Sequence, residues 1–154
     1  MLYSLVCLLL YCSRSRIHAD PEVEYPYCCG FADQTGPESG PAANTTLNLP
    51  LGKGTSWAEY EPALRRALDA IREFGAKALV VSLGVDTLAN DPEAAPLAGF
   101  ALHGPDYDAM GAMVRSIGLP IIWVQEGGYL LSEAGDTVRR VLVGPVGKEQ
   151  QGGN

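Results

Sequence analysis

Two short apolar runs, Ala78-Leu79-Val80-Val81-Ser82-Leu83 and Ile121-Ile122-Trp123-Val124, constrain this chain most. Both are brief and rich in β-branched residues, the first stopping at Gly84 and the second leading into Gln125-Glu126-Gly127-Gly128, as expected of strands covered on both faces of a parallel sheet. Parallel neighbours need a crossover, and the stretch between the runs supplies one. Tyr107, Met110, Val114 and Ile117 recur at the spacing of one helix face, closed by Gly118 and Pro120. A second helix precedes the first run. Ser56 followed by Glu59 is a capping-box pattern, Leu64, Leu68, Ile71 and Phe74 form an inner stripe, and Arg65, Arg66, Asp69, Arg72 and Glu73 take the wet side up to Gly75. Val138, Val141 and Leu142 suggest a last helix. The alternation predicts an α/β fold, a parallel sheet with flanking helices and right-handed crossovers.

At 154 residues, 47% hydrophobic and 19% charged, the chain has enough apolar material for the core of one domain. Eleven basic against 18 acidic residues leave a net charge of -7, which excludes a basic footprint for nucleic acid. Acidity suits a cationic substrate or plain solubility equally. Cys7, Cys12, Cys28 and Cys29 have neither C-x-x-C spacing nor a histidine at zinc-finger distance, so a reducing, cytoplasmic setting is expected. Met1 to Cys12 is apolar and leads into Ser13-Arg14-Ser15-Arg16-Ile17-His18-Ala19, which has the look of a signal peptide's end. No positive charge precedes it, and it falls short of the ~20 residues of a membrane-spanning helix. The preferred reading is a buried strand over Leu2 to Tyr11, with secretion by cleavage after Ala19 as the alternative. Tyr25 to Thr55, rich in Gly, Pro, Ser, Thr and Asn, is expected to be a long loop with turns.

In a parallel α/β sheet, ligands bind beyond the carboxyl ends of the strands. Two segments fall there. Asp86 follows the first run through Gly84-Val85, and a carboxylate at that place either ligates a metal or caps the next helix. Glu126-Gly127-Gly128-Tyr129 follows the second; its glycines permit a sharp turn and close approach to a ligand. The tyrosine either donates a hydrogen bond to a developing oxyanion or packs on the turn.

Together these segments resemble the zinc-dependent deacetylase superfamily, the histone deacetylases and acetylpolyamine amidohydrolases. The likeness runs in order through Ile17-His18-Ala19-Asp20-Pro21, Tyr25-Pro26-Tyr27, Gly30 to Gly36, Asn48-Leu49-Pro50-Leu51, Gly54-Thr55, Val80 to Pro92 and Leu119 to Tyr129. It divides the chain into a poorly matching segment 1–16, the C-terminal part of a deacetylase domain over 17–144, and a disordered tail over 145–154. It implies an arginase/deacetylase-like fold and an amide hydrolase that removes acetyl groups from acetyl-lysine or acetylpolyamines with Zn2+. By the same resemblance Asp86 is a metal ligand and Tyr129 the residue that polarises the acetyl carbonyl. Tyr25 forms an aromatic wall of the acyl tunnel, and Gly127 and Gly128 shape the turn that holds the tyrosine. Glu93 sits where the polyamine branch places a gatekeeper for a second cationic nitrogen; its alternative is a solvated helix-start glutamate. His18 is expected to be structural, and His103 has no matching role.

The family's other zinc ligands, in an Asp-x-His block, and its tandem histidines belong upstream of residue 17 and are absent. A catalytic zinc takes three protein ligands, so the chain is expected to be an inactive fragment or a non-catalytic binding module. Its expected partners are an acetylated amine or acetyl-lysine protein in the intact enzyme, with no nucleic acid, no membrane span and an oligomer left open. A fragment of this kind is expected to expose sheet surface, with low solubility and weak stability.

Overall fold

The computed structural model describes residues 3–7, 13–24, 27–93 and 99–145. Along the chain run β1 (Tyr3–Cys7), β2 (Arg14–Ala19), β3 (Thr46–Leu51), α1 (Trp57–Glu73), β4 (Leu79–Leu83), α2 (Gly104–Arg115), β5 (Ile121–Gln125) and α3 (Leu131–Val143). The sheet order is β3-β2-β1-β4-β5. β2 pairs parallel with β3 and β4 parallel with β5, while β1 is antiparallel to both β2 and β4. The four strands other than β1 therefore all point the same way.

Local chemistry sets the helix boundaries. Glu59 Oε2 accepts from the Ser56 backbone N–H and from the Ser56 hydroxyl, each at 2.9 Å, which fixes the start of α1. These bonds hold the Glu59 carboxyl below the usual carboxylate range. Gly75, at φ 76, turns the chain out of the helix. His103, with no role assigned from sequence, is the N-cap of α2, its backbone N–H bonded to Asp106 Oδ2 at 2.8 Å. α3 begins at Leu131, well before the apolar residues that announce it. It packs closely on α2: a Cβ at Gly111 would lie 2.0 Å from the Val141 carbonyl oxygen, and Arg140 pairs with Asp108 at 2.8 Å.

The core lies between the sheet and the first two helices. Ile17, Val81 and Trp123 from the strands meet Tyr60 and Leu64 of α1 and Met110 and Val114 of α2. Burial raises the Tyr60 and Tyr107 phenols far above their ordinary range. The Tyr107 hydroxyl is also within 2.8 Å of Thr87 Oγ1.

Three sequence expectations need correction. The strands are not covered on both faces: burial alternates along β4, and Ile122 and Val124 of β5 are 60% and 42% exposed. α1 and α2 cover one side of the sheet and α3 packs on α2, while the other side of β5 has no cover among the described residues. The expected loop over 25–55 contains a strand, β3, whose Leu47 and Leu49 alternate toward the core. Asn48 and Pro50 disguise it, and proline is tolerated because β3 is an edge strand. Finally, the sheet is mixed, through β1. The strand expected over Leu2 to Tyr11 is present as Tyr3–Cys7, the rest of that range lying outside the described residues. The expected tail lies outside them too, apart from Pro145.

Candidate active site

The carboxyl ends of β4 and β5 lie side by side because the strands are parallel neighbours, with Leu83 opposite Gln125. Past the strands, the two loops stay joined. The Glu126 N–H donates to the Leu83 carbonyl and the Val85 N–H to the Gly127 carbonyl, both at 2.8 Å. Asp86 is 1% exposed, and its carboxylate is folded back against backbone. A Cβ at Gly127 would stand 1.9 Å from Asp86 Oδ2 and 3.6 Å from Tyr129 Cε2. Acid and phenol thus share one side of the sheet's end, both within 4 Å of a single point that only glycine leaves vacant. Gly128, at φ 138, completes the turn, and a Cβ there would lie 2.5 Å from Val85 Cγ2.

A residue that the sequence reading passed over organises this corner. Asp91 is 1% exposed. Its Oδ2 accepts the Tyr129 N–H at 2.7 Å and the Leu130 N–H at 3.3 Å, at the entrance to α3. Its Oδ1 accepts the Glu93 N–H at 3.0 Å. Glu93 and Tyr129 are therefore held by opposite oxygens of one carboxylate, and both side chains are exposed. The signal was the Asn90-Asp91-Pro92 turn sequence: an aspartate before proline commonly binds backbone N–H groups, though nothing local reveals that the N–H groups lie 38 residues away.

The remaining sequence candidates separate. Tyr25 lies outside the described residues. His18 is buried, with Nδ1 donating to the Ala19 carbonyl at 2.8 Å, and burial lowers its pKa below the usual imidazole value. Cys28 and Cys29 are exposed free thiols. Asn48 Nδ2 reaches the carbonyls of Phe31 at 3.1 Å and Gln34 at 2.9 Å, anchoring the glycine-rich loop over β2 and β3.

A catalytic zinc does not fit what is present. Among the described residues no three His, Cys, Asp or Glu side chains are grouped to hold a metal ion, and one aspartate is too few. The corner offers a buried carboxylate, an exposed phenol able to donate a hydrogen bond, and an outer carboxylate.

The histone deacetylase domain matches residues 9–144, and the chain belongs to that family. Within the family it is similar to acetylpolyamine amidohydrolases. It is 43% identical over 131 residues to that of Mycoplana ramosa, covering 85% of this chain and 37% of the relative. It is 43% identical over 128 residues to acetylpolyamine amidohydrolase 2 of Pseudomonas aeruginosa, covering 83% and 36%. Among solved structures, the acetylpolyamine aminohydrolase of Burkholderia pseudomallei superposes with a TM-score of 0.77 at 32% identity, over 84% of this chain and 36% of that one. A histone deacetylase homologue from Aquifex aeolicus gives a TM-score of 0.73 at 26% identity, over 86% and 35%. The chain thus spans little more than a third of the length of these relatives. The expected arginase/deacetylase fold is borne out. Among the described residues no helix is long and apolar enough to cross a membrane.

Proposed function

We propose that the chain forms the C-terminal part of an amidohydrolase active site that removes acetyl groups from acetylated amines, and that these 154 residues do not turn over substrate unaided. The observation carrying this reading is the convergence of Asp86 and Tyr129 on the Gly127 turn. Asp86 would be one oxygen donor of a zinc site whose other donors are not among the described residues. Tyr129 would donate a hydrogen bond from its phenol to the acyl oxygen as negative charge develops there, a contact whose loss typically costs about 10²–10³ in rate. Gly127 and Gly128 serve as the turn that lets both side chains face one space. Tyr25 is assigned the acyl-tunnel wall by resemblance alone.

Acetylpolyamines are the favoured substrate class. Support comes from Glu93, whose exposed side chain leaves a backbone that is fixed, like that of Tyr129, by the Asp91 carboxylate; a carboxylate on this rim would attract a second cationic nitrogen.

The test is a chimera carrying this chain in place of the matched stretch of the Mycoplana ramosa relative, compared with the chain alone. Acetylspermidine hydrolysis and zinc are expected in the chimera, and neither in the chain. Stoichiometric zinc with turnover by the chain alone would refute its inactivity. A folded, zinc-loaded chimera without hydrolysis would favour the non-catalytic binding module instead. Glu93→Leu in the chimera is expected to lower the preference for acetylspermidine over an acetyl-lysine peptide about tenfold; unchanged preference removes the gatekeeper.

A further inference from the structure

Cys28 and Cys29 are consecutive, exposed and free, and the chemistry proposed above makes no use of them. The backbone around them is pinned on both sides. Before the pair, the Tyr27 N–H donates to the Glu24 carbonyl at 3.0 Å and the Tyr27 hydroxyl to Glu24 Oε1 at 3.1 Å. After it, Gln34 Oε1 accepts the Gly30 N–H at 2.6 Å and the Phe31 N–H at 3.2 Å. Asn48, itself 4% exposed, donates from Nδ2 to the Phe31 and Gln34 carbonyls and so ties this loop to β3. Left-handed backbone at Tyr27 (φ 55) and Gly30 (φ 92) brackets the two cysteines. Gly30 is buried while both cysteines are exposed. The thiols are therefore the crest of a bend whose feet are fixed, an ordering that a ligand would otherwise have to impose at its own expense in affinity.

Two thiols on consecutive residues suit few ligands. An ordinary disulfide joins Cα atoms ~4.4–6.8 Å apart, whereas consecutive Cα atoms are ~3.8 Å apart, so a direct S–S bond here would distort the bend. A ligand atom inserted between the sulfurs closes a larger, less constrained ring. Zinc asks for four donors, and among the described residues no third His, Cys, Asp or Glu groups with this pair. Thiolates favour soft acceptors. A linear two-coordinate ion sets its sulfurs at opposite ends of a line, which neighbouring residues reach poorly. Pyramidal arsenic(III) holds two sulfurs on one side and fills its third position with its own substituent.

We propose that Cys28 and Cys29 form a dithiol site that captures a monosubstituted trivalent arsenic compound. For an organoarsenic(III) oxide, R–As=O, both S–H bonds and the arsenic–oxygen bond break and two As–S bonds form. The oxygen leaves as water with the two thiol protons, and arsenic stays trivalent, so no oxidant or reductant is consumed. Both thiols are free, as the reaction requires. Once the first As–S bond has formed, the second thiol is one residue away, and its high effective concentration makes capture by the pair far tighter than by either sulfur alone. The site stands apart from the amidohydrolase reading, and the failure of one leaves the other untouched.

The experiment is titration of the full chain with phenylarsine oxide, read by intact-mass spectrometry and by a count of the remaining thiols. One phenylarsenic group should be gained at the cost of two thiols. Trypsin should recover the group on the peptide 17–53, which holds Cys28 and Cys29 and no other cysteine. Cys28→Ser and Cys29→Ser alter exposed positions and should each weaken capture at least about a hundredfold. Excess glutathione, a monothiol, should strip the adducts of these variants and leave that of the full chain, which the dithiol dithiothreitol removes. Recovery of arsenic only on the peptide 1–14, a single-cysteine variant that captures as tightly as the full chain, or a full-chain adduct that glutathione strips would each overturn the proposal.

Discussion

The two faces of the sheet are made by the same strands and meet different surroundings. On one face Ile17 and Val81 lie at 5% exposure or less beneath α1 and α2. On the other, Ile122 and Val124 of β5 stand in solvent, and cover is confined to the β2–β3 side, where Asn48 ties down the loop at Phe31 and Gln34. Apolar residues on both faces ask for two covers, and the described residues provide one. A continuous apolar run therefore reports what a strand is built to meet, whether or not these residues supply it.

Truncation on the helix-covered face should have the largest effect. Leu68→Ala removes a side chain that is 2% exposed and is expected to cost about 2–5 kcal/mol in urea unfolding; a cost below 1 kcal/mol would mean this face is as loosely packed as the other. Next comes Asp91→Ala, which strips the acceptor from the N–H groups of Glu93, Tyr129 and Leu130. About 1–3 kcal/mol is expected, with faster amide exchange at 129–130, whereas unchanged exchange there would detach the strand-end corner from Asp91.

A smaller effect belongs to acid. His18 is held neutral by burial, so its folded pKa lies below the unfolded value near 6.5. The unfolded chain then binds more protons in the window between the two values. Stability is fully present above pH 6.5 and is lost as pH falls through the folded pKa. Comparing melting at pH 7.5 and 5.5 should show a drop that His18→Gln reduces; an identical drop would assign the acid sensitivity to other groups. Ile122→Ser should do least, within about 0.5 kcal/mol for the chain alone, because its side chain already faces water. A large loss would show that the bare face is covered in solution.

Much of this was legible in the chain itself. The capping pair at Ser56 and Glu59, the stripe of α1 and the Gly75 stop act through neighbours a few residues apart, so the sequence displays them directly. β3 was hidden because Asn48 and Pro50 are turn formers, and only a parallel neighbour at an edge makes them acceptable in a strand. Asp86 and Tyr129 could be nominated from their places after the strands, but their meeting depends on the β4–β5 register. Asp91 was invisible as an organiser for the same reason. The reversal of β1 leaves no trace in composition, since a five-residue strand reads alike in either direction.

The two-handed grip of Asp91 has a mechanical outcome. The backbones at Glu93 and Tyr129 are tethered through one rigid planar group, so the two loops are coupled where these residues leave them. A change to Asp91 would therefore be transmitted to both loops at once.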